Sequence, residues 1–271
     1  SADGGVRVWG AERWQPLGEP QAAGGGEAAV ALAWGDGPSA CALAAVCPGG
    51  TVLVWREAAP QQWQLAHRCA VRGPAAALAF ASSHYGCELA VGGGGGEVVV
   101  LTRRETAGRS IQPAGEQWQR RAFVAHDGDV LALSWAPSTS PATMAAGPAA
   151  ARAALHGPRR MVTAGADRRV RVWRYDEKAG SWSMAQELCD GLGSQVIRSV
   201  TWRPNMGIPA SLVAACTEEG TVTTWVQDME GQAWRQQLSW QVPGPARRLA
   251  WSEAGTLLAV AVGEAGGLLF K

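Results

Sequence analysis

Six short segments of this chain share one pattern, in which a turn is followed by an alternating strand that ends on a large apolar residue. Four of the six end in Trp, and most steps between their last residues are close to 46 residues long. A repeat of this length that ends in a Trp-closed strand is typical of a β-propeller blade. The six segments are residues 3–9, 49–55, 95–101, 167–173, 219–225 and 264–270.

Two further sets of strands are predicted between these closing segments. Alternating segments that end in an aromatic residue are predicted to be the innermost strands, and small-residue runs after them the middle strands. A fourth, outer strand of each repeat carries its own Trp. The inner strands are expected to end at Trp34, Phe80, Trp135, Trp202 and Trp251, and the outer strands to contain Trp14, Trp63, Trp118, Trp182 and Trp234. The predicted fold is all-β, a six-bladed β-propeller that forms a single domain over residues 1–271.

The ends of the repeat array are predicted to be incomplete. Four blades have all their strands, the first lacks its two inner strands and the last lacks its outer strand. Because the chain starts at Ser1 and enters a strand almost at once, a fragment or an incompletely ordered N-terminus is expected. Two stretches, 102–117 and 136–159, interrupt the period. We expect surface loop insertions there, because the entropic cost of closing a loop grows slowly with its length and long loops are therefore tolerated. The alternative is a loop that binds a partner.

Composition excludes several classes of function. The net charge is +1, with 24 basic and 23 acidic residues, so no nucleic-acid partner is expected. No apolar run reaches the roughly 18 residues of a membrane span, so direct membrane insertion is not expected. The six cysteines form no CxxC pair and are predicted to be buried thiols. We predict no catalytic residues, no cofactor and no metal site, and therefore no enzyme.

One histidine has a specific structural prediction. In WD-repeat blades, a His before the inner strand is often linked to a Ser or Thr of the middle strand and to the closing Trp, and an Asp in the turn completes the set. His126, Thr163, Asp167 and Trp173 occupy those places. A buried polar network of this kind must be satisfied and helps to specify one geometry. The predicted role is therefore structural.

Several longer stretches resemble one family of propellers. They are the runs WRPNMGIPASLVAAC at residues 202–216, RVWRYDEKAGSW at 171–182 and LAWSEAGTLLAV at 249–260. These stretches resemble the Sec-thirteen family, the small WD-repeat propellers of the outer COPII vesicle coat that also serve in the Y-complex scaffold of the nuclear pore. The related Seh-one propeller is less similar in the 202–216 stretch.

The resemblance implies a partner and a cellular role. Family members are not enzymes, and their six-bladed ring is open. An α-helical solenoid protein, either the large COPII outer-coat subunit or a Y-complex nucleoporin, donates a seventh blade in trans. The implied function is that of a non-catalytic scaffold at the nuclear pore and nuclear envelope, and at the cytoplasmic face of the endoplasmic reticulum and COPII vesicles. The given sequence also shows no closing segment after Phe270. We expect the gap that receives the partner to be flanked by Val6, Val8, Leu268 and Phe270.

A second class of function stays open at this point. A WD-repeat adaptor would recognise a peptide at the mouth of the propeller channel. It would need acidic and aromatic side chains that converge at one end of that channel, and the sequence shows no such cluster.

Overall fold

A computed structural model describes residues 5–9, 21–22, 28–35, 42–104, 117–138, 158–188, 190–204, 210–263 and 266–270. The chain divides into two compact units, residues 1–123 and 124–271. Each unit is described by itself below.

The first unit contains one short ribbon and two four-stranded antiparallel sheets. In the ribbon, β1 (Gly5–Val6) pairs with β2 (Gln21–Ala22). In both larger sheets the strands lie side by side in chain order. The first of them contains β3 (Ala31–Gly35), β4 (Ala42–Val46), β5 (Thr51–Ala59) and β6 (Gln62–Ala70), and the second contains β7 (Ala77–Phe80), β8 (Glu88–Gly92), β9 (Glu97–Arg104) and β10 (Gln117–Val124).

The second unit contains two four-stranded sheets and one three-stranded sheet, again in chain order. The first sheet contains β11 (Val130–Trp135), β12 (Arg160–Gly165), β13 (Val170–Asp176) and β14 (Ser181–Leu188). The second contains β15 (Ile197–Trp202), β16 (Ser211–Thr217), β17 (Thr221–Gln227) and β18 (Arg235–Gln241). The third contains β19 (Ala246–Trp251), β20 (Leu258–Val262) and β21 (Gly266–Phe270).

The predicted all-β class and strand order are confirmed, but the predicted number of six blades is wrong. The described residues form five blades, of which four have four strands and the last has three. Among the described residues, the first closing segment forms only the two-residue strand β1 (Gly5–Val6) of a two-stranded sheet. Its partner is β2, whereas the outer strand predicted around Trp14 lies outside the described residues. Most of the two predicted insertions, residues 105–116 and 139–157, also lies outside them.

The middle strands form the centre of each core. Every described residue of β4, β12 and β16 is buried. Their alanines and valines suit a strand that is covered on both faces by neighbouring layers. Two of the cysteines, Cys47 and Cys216, are fully buried in these cores. Burial raises the pKa of Cys216 to about 12, so this thiol is protonated at neutral pH and packs as a small apolar group.

Aromatic pairs connect the inner and outer strands within several sheets. A Trp at or near the end of the inner strand contacts, edge to face, a Trp on or directly before the outer strand of the same sheet. The ring centroids are 5.6 Å apart for Trp34 and Trp63, 5.6 Å for Trp135 and Trp182, and 5.2 Å for Trp202 and Trp234. This geometry is favourable for aromatic rings beyond simple burial.

Candidate functional site

The structure brings the four residues of the predicted polar network together in the sheet β11–β14. The imidazole Nε2 of His126 lies 2.7 Å from Oγ1 of Thr163, and its Nδ1 lies 2.9 Å from Oδ1 of Asp167. Trp173 donates from its indole Nε1 to the same Thr163 oxygen at 2.9 Å. Thr163 lies on β12, Trp173 on β13 and Asp167 in the turn between them.

The hydrogen bonds indicate which form of His126 is present. Thr163 Oγ1 accepts from Trp173, so its own O–H is available to donate to Nε2 of His126. The other ring nitrogen, Nδ1, then carries a proton and donates to Asp167. This is the neutral imidazole. Burial lowers the pKa of His126, and the Asp167 carboxylate only partly opposes that effect. The ring is 1% exposed, so the network stabilises the blade and does not face solvent.

Two further residues hold this network and were not predicted from the sequence. A Cβ atom at Gly165 would lie 2.5 Å from Nδ1 of His126, so only glycine leaves room for the ring. Arg171 lies 3.1 Å from Oδ2 of Asp167 and also donates to the carbonyl of Ala125 at 2.6 Å. Gly165 ends a predicted middle strand, and a glycine at that position could have indicated close packing there. The sequence gave no such indication for Arg171, because a charged residue at an alternating position predicts a solvated face.

Replacing His126 by Ala is expected to lower the free energy of unfolding by about 1–3 kcal/mol, because the buried Thr163 hydroxyl loses its acceptor. Chemical denaturation measures this change. Met229→Ala is a suitable control, since Met229 is 63% exposed and such surface changes stay within about 0.5 kcal/mol. An intact fold with unchanged stability would show that the network contributes nothing.

The stability of the protein should fall as the pH drops below about 6.5, the ordinary pKa of His. The pKa of His126 is lower in the folded state than in the unfolded chain, so the unfolded chain binds a proton that the folded state excludes. This contribution is complete above the unfolded pKa and is lost as the pH falls toward the folded one. Thermal melts between pH 5 and 8 should show a steeper decline for the native protein than for His126→Ala. Parallel curves would contradict the assignment.

The two predicted gap residues in the first unit point inward. Val6 and Val8 are 3% and 9% exposed and pack against Leu43, Leu53 and Trp55 of the sheet β3–β6. The neighbouring Trp9 is 51% exposed. The face of residues 5–9 that carries Trp9 therefore remains available to a partner.

Beside this contact lies an exposed apolar row, the β3 row, formed by β3 and the residue before it. Val30, Leu32 and Trp34 are 45%, 54% and 54% exposed. Trp34 pairs with Leu43, and Leu32 with Ala45, so the row lies on the same face of the sheet that Val6 and Val8 cover. The short strand β1 shields the middle strands of this face and leaves the β3 row open. Three alternating exposed apolar side chains on one strand form a continuous patch, which is typical of an interaction surface.

The two predicted gap residues in the second unit also point inward. Leu268 and Phe270 pack in a cluster with Trp240 and Trp251, and the rings of Phe270 and Trp240 lie 5.2 Å apart. Between them, Leu269 is 65% exposed on the other face of β21. Among the described residues, β21 is an edge strand with no fourth strand beside it. That all four residues flank a gap stays a prediction.

No protein-family profile matches the chain, but full-length comparisons find clear relatives. The chain is 29% identical over 255 residues to "Protein transport protein sec13" of Aspergillus fumigatus, with 89% of this chain and 76% of the relative covered. It is 26% identical over 298 residues to the Cryptococcus neoformans protein of the same name, with 100% and 85% covered. It is 27% identical to "Protein SEC13 homolog" of Drosophila melanogaster, with 89% and 64% covered. The chain is similar to Sec-thirteen proteins over most of its length. The resemblance predicted from its loops and strands is confirmed.

A solved structure supports the fold of this Sec-thirteen-like chain. A chain of the crystal structure of a mitotic checkpoint complex is similar with a TM-score of 0.68 at 16% sequence identity, and the match covers 99% of this chain and 68% of that one. At this level of identity the likeness concerns the fold alone. The predicted all-β propeller architecture is confirmed.

Proposed function

We propose that this protein is a non-catalytic scaffold subunit of the COPII outer coat and of the nuclear pore Y-complex, and that it binds an α-helical solenoid partner that adds a blade to it. The observation that carries the proposal is the exposed β3 row beside the short ribbon β1–β2, in a chain similar to proteins named for protein transport.

The β3 row has the period of a sheet contact. Its apolar residues alternate along one strand, so their side chains lie on one face with a spacing of two residues. A partner strand laid beside the ribbon β1–β2 would extend it over Leu32 and Trp34. Added strands gain affinity from backbone hydrogen bonds and specificity from alternate side chains. They would also cover edges that otherwise favour aggregation.

The buried histidine supports a role without catalysis. His126 and Asp167 are the His–Asp pair that could suggest acid–base chemistry, but His126 is 1% exposed and both of its ring nitrogens are used in the fold. The described residues also contain no group of three or more side chains placed to hold a metal ion.

No helix in the described part of the chain has the length and apolar content of a membrane span.

Leu32→Asp should weaken partner binding at least tenfold, because a carboxylate on the β3 row would be buried without a counter-charge. The protein is co-expressed with the large COPII outer-coat subunit and, separately, with a Y-complex nucleoporin of the same organism, and the affinity of each purified pair is measured. Met229→Asp is the matched control, since Met229 is equally apolar and 63% exposed elsewhere. Equal binding by both variants, or no binding of either partner to the native protein, would contradict the proposal.

A further inference from the structure

A polar cleft in the second unit lies between the sheets β11–β14 and β15–β18, and the proposed scaffold function does not use it. Its volume is about 200 Å³. Strands β12, β13 and β14 form one wall, and the end of β17 with the loop after it forms the other. Both walls belong to complete four-stranded sheets. The lining includes Arg160, Val172, Arg174, Gln186, Gln227 and Glu230.

Two arginines lie side by side in the first wall. Arg160 of β12 pairs with Arg174 of β13 in the sheet register, so both side chains project from the face that lines the cleft. Like charges directly opposite each other destabilise a strand pair. The Arg174 side chain is exposed and makes no hydrogen bond or ion pair with the described part of the chain. A bound anion would therefore relieve the repulsion between the two guanidinium groups.

The buried arginine of the pair is held in one orientation. Arg160 is 6% exposed, and its Nη1 donates to Oε1 of Gln227 at 3.0 Å. Its guanidinium carbon lies 5.0 Å from the centroid of the Trp202 ring. Gln227 is fixed in turn, because its Nε2 donates to the carbonyl of Gln232 at 2.7 Å. A guanidinium that is already ordered loses little further side-chain entropy when it binds a ligand, and its planar fork matches a carboxylate.

The other polar groups of the cleft set its charge. Gln186 is used within the fold, because its Oε1 accepts from the N–H of Trp234 at 2.8 Å and its Nε2 donates to the Trp234 carbonyl at 3.0 Å. Glu230 lines the cleft from the loop after β17 and contributes one negative charge. Two arginines and one glutamate leave the cleft with a net charge of +1. An anionic ligand therefore complements it, and a cationic one does not.

We propose that this cleft binds an acidic side chain, Glu or Asp, of a partner polypeptide, whose carboxylate lies between the guanidinium groups of Arg160 and Arg174. A volume of about 200 Å³ suits a single side chain, so the partner contributes one acidic residue of an extended or loop segment. Hydrogen bonds between guanidinium and carboxylate are charge-assisted and roughly twice as strong as neutral ones. The site is independent of the proposed scaffold function, because the β3 row belongs to a sheet of the first unit.

A short acidic peptide tests the proposal. The labelled peptide GSEEESG is titrated into the natural full-length protein, and binding is followed by fluorescence anisotropy. It should bind at least tenfold more tightly than GSQQQSG, which has the same size and no charge. Arg174→Gln should weaken binding of GSEEESG at least tenfold, and Glu230→Gln should strengthen it at least threefold by removing a repelling carboxylate. Arg168→Gln is the matched control and should leave binding unchanged, since Arg168 is also an exposed arginine of the second unit but lies in the turn between β12 and β13.

Several results would overturn the proposal. The native protein fails to bind GSEEESG, or it binds GSEEESG and GSQQQSG equally. Arg174→Gln and Arg168→Gln have the same effect, which would indicate attraction to the overall charge of the surface. Glu230→Gln leaves binding unchanged or weakens it. A peptide with phosphoserine in place of the three glutamates binds while GSEEESG does not, which would show that the cleft recognises phosphate and that the proposed class of ligand is wrong.

Discussion

Replacing Trp173 by Ala is expected to lower the free energy of unfolding by about 3–5 kcal/mol, the range for large-to-small changes of a buried aromatic. Trp173 is 7% exposed. Its removal leaves a cavity in the sheet β11–β14 and takes from Thr163 the indole N–H that donates at 2.9 Å. Both losses destabilise the folded state, because at a buried site water neither fills the cavity nor replaces the lost hydrogen bond.

Urea denaturation followed by far-UV circular dichroism measures this change. Trp173→Phe is the matched control, because it keeps most of the apolar volume and removes only the hydrogen bond, so its cost should be about 1–2 kcal/mol. A loss below 1 kcal/mol for Trp173→Ala, in a protein that is still folded, would show that the closing Trp is not a principal core residue.

Replacing Gly220 by Ala is expected to destabilise the protein by about 3 kcal/mol or more. Gly220 has φ +89° in the turn between β16 and β17, a left-handed conformation that costs other residues about 1–2 kcal/mol. An added Cβ would also lie 2.9 Å from the carbonyl oxygen of Val242 and closer still to that of Gly244. The backbone after β18 passes directly under this turn and donates from Val242 N–H to the Gly220 carbonyl at 2.9 Å, so it cannot move away without losing that bond.

The equivalent turn between β12 and β13 supplies the control. Arg168 occupies the same position with φ +65°, and its N–H donates to Gly165 as that of Gly220 does to Thr217. Its side chain is exposed to solvent, so Arg168→Gly should change the free energy of unfolding by less than about 1 kcal/mol. Similar effects of the two substitutions would contradict the steric explanation.

The repeat, the strand order and the polar network were all predictable from the sequence alone. Alternation with a period of two identifies strands, and an aromatic residue at a constant place in the repeat identifies their ends. Four inner strands end at Phe80, Trp135, Trp202 and Trp251 as predicted, and β3 ends one residue after Trp34, at Gly35. His126 and Thr163 are 37 residues apart, but a repeated blade brings such positions together in a known way. The stretch of residues 202–216 was specific enough to indicate the family resemblance.

Only the tertiary structure decided the number of blades and the orientation of the gap residues. A closing segment becomes part of a blade only when inner strands lie beside it, and β1 has none among the described residues, so it forms a ribbon with β2. Alternation also defines two faces without telling which one is buried. Val6, Val8, Leu268 and Phe270 proved to face their own cores, while Trp9 and Leu269 are exposed, because burial depends on which sheet packs against a strand and not on the strand itself.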